Sequence, residues 1–119
     1  MSSSPIKYRE KPLEYEPGVY CHCSAKAPRW ISWSDKNPGR RYYTCENARF
    51  GGCKFFLWHE ELPTPFLCQL LLDLRDTVYN LKIEKNAMKK RLDEAVQTVG
   101  ARTKELQLQY KEVSHFIIP

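Results

Sequence analysis

Four of the five cysteines, Cys21, Cys23, Cys45 and Cys53, fall within a 33-residue window, while Cys68 stands apart in a leucine-rich segment. The count is odd, and the N-terminal MSSSPIKYREKPLEYEPG lacks the apolar core of a secretory signal. Both points argue against a disulfide framework and for an intracellular setting in which thiols stay reduced. Thiolates grouped in this way suit zinc, which accepts tetrahedral sulfur ligation without redox chemistry. The expectation is therefore one structural Zn2+ held by Cys21, Cys23, Cys45 and Cys53. Two other uses of the same thiols exist: packing as small buried apolar groups, or redox chemistry at the C-x-C pair. Size weighs for the metal, because the cysteine-bearing stretch 17–62 is only 46 residues long. A module that small can scarcely stabilise itself by burial alone.

Four protein ligands leave zinc no open position, which argues against hydrolytic chemistry. His22, between two ligands, is expected to point away from them, and His59 follows Trp58 in an apparent strand. Neither is part of a nucleophile or carboxylate constellation, so a non-enzymatic role is expected.

The elements that must position these thiols can be read from turn formers and periodicity. The pieces VYCHC, RWISWS, RYYTC and CKFFLWHE are short, aromatic and β-branched, and Ser24–Pro28, Asp35–Gly39 and Asn47–Gly52 separate them. That pattern predicts a small antiparallel sheet of three or four strands. On an extended strand Cys21 and Cys23 would share a face. Cys45 and Cys53 would be folded together by the NARFGG loop, whose Gly51 and Gly52 permit a tight turn. Residues 1–16, with Ser, Pro and mixed charge, are expected to form a disordered leader ahead of the module at 17–62.

Beyond Pro63 the period changes. Thr64 and Pro65 fit the N-cap and first position of a helix. A heptad register through positions 67, 71, 74, 78, 81, 85, 88, 92, 95, 99, 102, 106, 109 and 113 is apolar at eleven of its fourteen places. This predicts a long amphipathic helix of coiled-coil type over 63–113, followed by a disordered tail at 114–119. Lys85, Arg102 and Gln109 interrupt the seam, and Gly100 weakens the helix by about 1 kcal/mol against Ala. So narrow a stripe must fold back on the preceding module, pair with itself or meet a protein partner. No run of apolar residues is long enough to cross a membrane as a helix.

NPGRRYYTC followed by GGCKFFLW resembles the GRF-type zinc finger. Its marks are a Gly-Arg-x-aromatic segment before the third ligand and a Cys-x-Phe-Phe-x-Trp segment at the fourth. Here these are Gly39-Arg40-Arg41-Tyr42 leading to Cys45, and Cys53-Lys54-Phe55-Phe56-Leu57-Trp58. The resemblance covers residues 19 to about 61. With its C-x-C opening and the leucine-rich helix that follows, the chain looks most like the short plant members of that family. Two departures stand out: Cys23 occupies a place that is His in several DNA-repair members, and Tyr42 replaces the usual Phe. The resemblance implies single-stranded DNA or RNA as partner, no catalytic role for the finger, and a nuclear setting within the cell.

The local chemistry points the same way. The chain carries a net charge of +5, and residues 19–54 alone hold seven basic side chains against Asp35 and Glu46, a surplus of five. Single strands are bound by a positive surface for the backbone and aromatic faces for the bases. Strand alternation puts Arg40, Tyr42 and Thr44 on one face and Arg41, Tyr43 and Cys45 on the other. Lys54, Phe56 and Trp58 likewise separate from Cys53, Phe55 and Leu57. The expected contacts are Arg40, Tyr42, Lys54 and Trp58, with Arg41 and Lys36 nearby. The competing use of Tyr42, Phe56 and Trp58 is a second small core, with Arg40 stacked or paired locally. A role as a protein-interaction adaptor through the coiled coil, the zinc module serving as a cap, is the alternative function.

Overall fold

The computed structural model describes residues 4–117. Three short strands, β1 (Arg29–Ile31), β2 (Arg41–Thr44) and β3 (Phe56–Trp58), form one antiparallel sheet in the order β1-β2-β3. A single helix, α1 (Pro65–Ile117), follows. Register sets Trp30 opposite Tyr42 and Tyr42 opposite Trp58, so these rings lie in a row across one face. On the other face Arg29 stands opposite Tyr43, and Tyr43 opposite Leu57.

VYCHC is not a strand. Tyr20 and Lys26 make an isolated bridge, and the residues between them close a turn in which Ser24 donates its N–H to the Cys21 carbonyl (3.0 Å). Ser24 adopts a left-handed φ of 61°. Burial explains why the turn overrules the β propensity of this stretch. Cys21 and Ala27, on either side of it, both enter the core and so hold its two ends together.

That core lies on the Tyr43 face and consists of Tyr15, Cys21, Ala27, Tyr43 and Cys45, with Val19, Cys53 and Phe55 against it. The presence of Tyr15 departs from the expectation of a disordered leader. Its side chain is 2% exposed, its ring meets the Tyr43 ring edge-on at 5.3 Å, and its hydroxyl donates to the Ala27 carbonyl. Lys26 Nζ and the Arg29 guanidinium lie 4.7 and 4.8 Å from the ring centroid. Further contacts hold the rest of this segment. Arg29 donates its N–H to the Pro12 carbonyl (2.9 Å), its guanidinium pairs with Glu10, and the Tyr8 hydroxyl accepts the Ile31 N–H (3.1 Å). Residues 1–3 of the expected leader lie outside the described residues.

Helix α1 starts where the Thr-Pro pair predicts. Thr64 Oγ1 accepts the Leu67 N–H (3.3 Å) and the Thr64 carbonyl accepts that of Cys68 (2.9 Å), an N-cap for otherwise orphaned donors. It continues past residue 113 to Ile117, while Ile118 and Pro119 of the expected tail lie outside the described residues.

The chain divides into two compact units after Tyr79. In the first, the opening turns of α1 pack on the sheet module. Arg75 donates to the Trp33 carbonyl (2.8 Å) and pairs with Asp35 (2.9 Å), which holds its guanidinium above the ordinary range. The second unit, from Asn80 onward, is helix, and its apolar side chains from Leu81 to Val113 are exposed. Among the described residues, no helix is long and apolar enough to cross a membrane.

Candidate metal centre and aromatic groove

The Sγ atoms of Cys21, Cys23, Cys45 and Cys53 all lie within 4.8 Å of one another. Four thiolates around one tetrahedral zinc stand about 3.8 Å apart, given Zn–S bonds of about 2.3 Å. The cluster needs only a small contraction to fit. Cys68 is elsewhere, its Sγ 3.4 Å from the Pro63 carbonyl.

Two tight loops bring the sulfurs together. In the first, Cys21 is buried at one end of the turn and Cys23 is exposed near its tip, with the Cys23 N–H directed at Cys21 Sγ (3.4 Å). In the second, Cys45 leaves the end of β2 and the chain coils back. The Asn47 carbonyl accepts the N–H groups of both Phe50 (2.9 Å) and Gly52 (2.7 Å). Gly51 has φ +83°, a conformation that suits glycine. At Gly52 there is no room for a side chain: a Cβ would stand 2.5 Å from Asn47 O and 2.7 Å from Cys45 Sγ.

The thiols already perturb one another. Hydrogen bonding with the Cys53 side chain pushes Cys23 up to about 11, while the Phe55 backbone N–H pulls Cys53 down to about 6. Sulfurs this close cannot all ionise unless a cation balances them. That behaviour and the tetrahedral fit match one structural zinc, which would hold both loops to the sheet.

The opposite face carries aromatic rings. Tyr42 stacks with Phe56 at 5.3 Å and meets Trp58 edge-on at 5.7 Å, and Phe56 meets Trp58 at 5.0 Å. Tyr42 is only 7% exposed, and burial pushes its hydroxyl above the ordinary range. It is thus core for this face, which corrects its expected role as an open stacking surface. Phe56, by contrast, is 51% exposed.

The basic candidates divide as the strand period requires. Arg40 lies over the Trp58 ring at 4.1 Å, held by bonds to the Glu60 carbonyl (2.8 Å) and Asn37 Oδ1 (3.1 Å). Arg41 is on the Tyr43 face and pairs with the Glu60 carboxylate at 2.9 Å, so it does not join Arg40. Lys36 and Lys54 are exposed in loops. On the Arg41 side, the Tyr43 hydroxyl and His59 Nδ1 are 2.7 Å apart. Burial, and then the charges of Arg41 and Arg29, lower the His59 pKa.

A groove of about 510 Å³ opens on the aromatic face, lined by Tyr8, Trp30, Tyr42, Phe50 and others, with Arg49 and Glu46 as its charged residues. Phe50 is 86% exposed at its rim, beside Arg49. A signal for it was present in NARFGG, where a large apolar ring sits in a loop of turn formers and next to a cation. Tyr8 had no such signal, because only the fold carries the N-terminal segment across β1.

With this geometry in view, comparison with known families matches residues 19–62 to the GRF zinc finger. No curated protein and no solved structure matches the chain.

Proposed function

We propose that this chain, whose residues 19–62 match the GRF zinc finger and whose four cysteines cluster as a single zinc site would need, is a non-enzymatic protein whose finger binds single-stranded nucleic acid. The observation that carries this reading is the groove between Tyr8, Trp30 and Phe50, with Arg49 at its edge and the Arg40–Trp58 pair on the same face of the sheet. A base needs an aromatic face, and each such stack contributes roughly 1–3 kcal/mol; the phosphate beside it needs a cation. An exposed phenylalanine next to an arginine supplies both. Lys36 and Lys54 extend the positive surface, and Arg41, committed to Glu60, is the weakest of the basic candidates.

The test is a fluorescence-anisotropy titration of the zinc-loaded chain with labelled single-stranded DNA and RNA oligonucleotides. Wild type should bind at low salt. Phe50→Ala should weaken binding by roughly five- to 150-fold, the loss of one stack. Arg49→Ala with Lys54→Ala should flatten the log-affinity slope against log salt by about 0.7 for each phosphate contact removed. No binding at low salt, or a slope unchanged in the double variant, would end this reading.

A second reading has its own support. Nucleic-acid binding needs no helix after the finger, yet from Asn80 onward α1 presents exposed apolar side chains at helical spacing. We propose the helix as the assembling part of the molecule, an adaptor of coiled-coil type for which the finger is a rigid cap.

A further inference from the structure

The exposed apolar residues of the second unit do not follow one heptad. Ile83 and Leu108 stand apart, while Leu81, Met88, Leu92, Val96, Val99, Leu106, Tyr110 and Val113 make one stripe, with Lys85 and Thr103 filling the intermediate places. From Leu81 to Leu92 the steps alternate four and three. From Met88 to Leu92 and from Leu92 to Val96 there are two successive steps of four, after which alternation resumes. Val96 and Tyr110 therefore stand one place beyond Ala95 and Gln109, the positions that an uninterrupted heptad would bury. This insertion of four moves Arg102 and Gln109 out of the seam and puts Thr103 and Tyr110 in their place. The helix runs unbroken through the region, Gly100 included. The shifted seam is apolar at eight of its ten places, and a partner that changes register at the same level meets all of them.

We propose that this partner is a second copy of the chain, parallel and in register, its seam shifting at Leu92 with that of the first. The inference rests on the second reading above, that the helix is the part that assembles. A partner with a regular heptad would keep Val99, Leu106 and Val113 but leave Val96 and Tyr110 outside the seam and bring Arg102 and Gln109 into it. An in-register copy carries its own discontinuity to the same height.

An antiparallel copy centred on Leu92 would also align the two shifts. It would, however, set Val113 against Leu71, whose side chain already packs beneath Gly39 of the finger. It would also set Lys82 against Arg102. The parallel arrangement does the reverse. Glu84 of one copy flanks the seam opposite Lys89 of the other, and Lys85 at its seam position lies beside the same Glu84. Glu84 and Lys89 are five apart, too far round the helix to pair within one chain, so their complementarity is available only between chains.

Sedimentation of the full zinc-loaded chain tests this. Wild type should be a dimer. Tyr110→Glu and Val96→Glu, which put a charge into the seam, should weaken it by more than about tenfold. Arg102→Glu and Gln109→Glu, at the positions an uninterrupted heptad would bury, should leave it intact. Glu84→Lys should weaken the dimer, and adding Lys89→Glu should restore it, a rescue that also shows the variants are folded. If Arg102→Glu and Gln109→Glu disrupt the dimer while Tyr110→Glu does not, the helix assembles by a plain heptad and the shifted register is overturned. Failure of the Glu84→Lys, Lys89→Glu pair to restore the dimer overturns the parallel arrangement. A monomeric wild type overturns self-pairing itself and leaves the assembling helix to a different protein.

Discussion

One methyl group at Gly52 should loosen the protein's hold on zinc. A Cβ there would stand 2.5 Å from the Asn47 carbonyl oxygen, 2.6 Å from its carbon and 2.7 Å from Cys45 Sγ. Neither obstacle can swing aside. The carbonyl is backbone that accepts two N–H groups of the same loop, and the sulfur belongs to a core residue 3% exposed. Ordinary contact between such atoms begins near about 3.5 Å, so the loop or the ligand must retreat by close to 1 Å. Overpacking of this kind costs about 1–3 kcal/mol. Stretching the Gly52 N–H bond to Asn47 adds about 1 kcal/mol. Together, about 2–4 kcal/mol corresponds to a loss of zinc affinity of roughly 30- to 850-fold.

Gly51→Ala is the matched control. Nothing lies within 4 Å of its Cβ, and only the left-handed backbone resists, at about 1–2 kcal/mol. Competition with a chromogenic chelator at fixed pH gives both affinities, and tryptophan fluorescence followed through the same titration reports whether unfolding accompanies metal loss. A Gly52→Ala protein within about twofold of wild type, or a Gly51→Ala protein that loses more, would refute the account of this loop.

Three further expectations concern folding. Tyr15→Phe keeps the buried ring but orphans the Ala27 carbonyl, and should lower stability to urea by about 1–3 kcal/mol; a midpoint like that of wild type would show that this N-terminal anchor is dispensable. The His59 imidazole is held below its ordinary 6.5 by burial and then by Arg41 and Arg29. The unfolded chain therefore takes up the proton first, so the stability conferred by neutral His59 is present above the unfolded value and is lost as pH falls through it. Urea midpoints between about pH 7 and pH 5 should accordingly decline less in His59→Gln than in wild type, and parallel curves would contradict this. Gly100→Ala, with open space around it, should raise the helix melting transition by the equivalent of about 1 kcal/mol per chain; a decrease in circular-dichroism melting would mean that Gly100 faces a partner closely.

The cysteine cluster was legible because four thiols within 33 residues have few uses besides a metal, and the faces of β2 and β3 were legible because side-chain direction alternates whatever surrounds the strand. The start of α1 was legible from Thr64 and Pro65 for a similarly local reason. What escaped depended on contacts distant in sequence. Tyr15 sits among glutamates and prolines with no period, and only the packing of Ala27, Tyr43 and Lys26 makes it the centre of the core. The Cys21–Ser24 turn escaped because valine, tyrosine and cysteine favour a strand, whereas the need to seat Cys21 and Ala27 together bends it.

The division between the two faces also limits what the aromatic side can do. With Tyr15, Tyr43 and the thiols filling one side of the sheet, the other has no opposing layer in the finger, so its rings must shield one another. Tyr42 gains most from that shielding and loses its freedom to stack on anything else. Trp58 is covered by Arg40, a cation–π contact that gives up its open ring face but sets a guanidinium at a fixed height above the sheet. The ring surface left exposed is then at the margins of the row, where Phe56 and Phe50 remain open and Trp30 meets the Tyr8 ring at 6.2 Å. The single strand proposed above would accordingly meet the finger at the edges of this small second core.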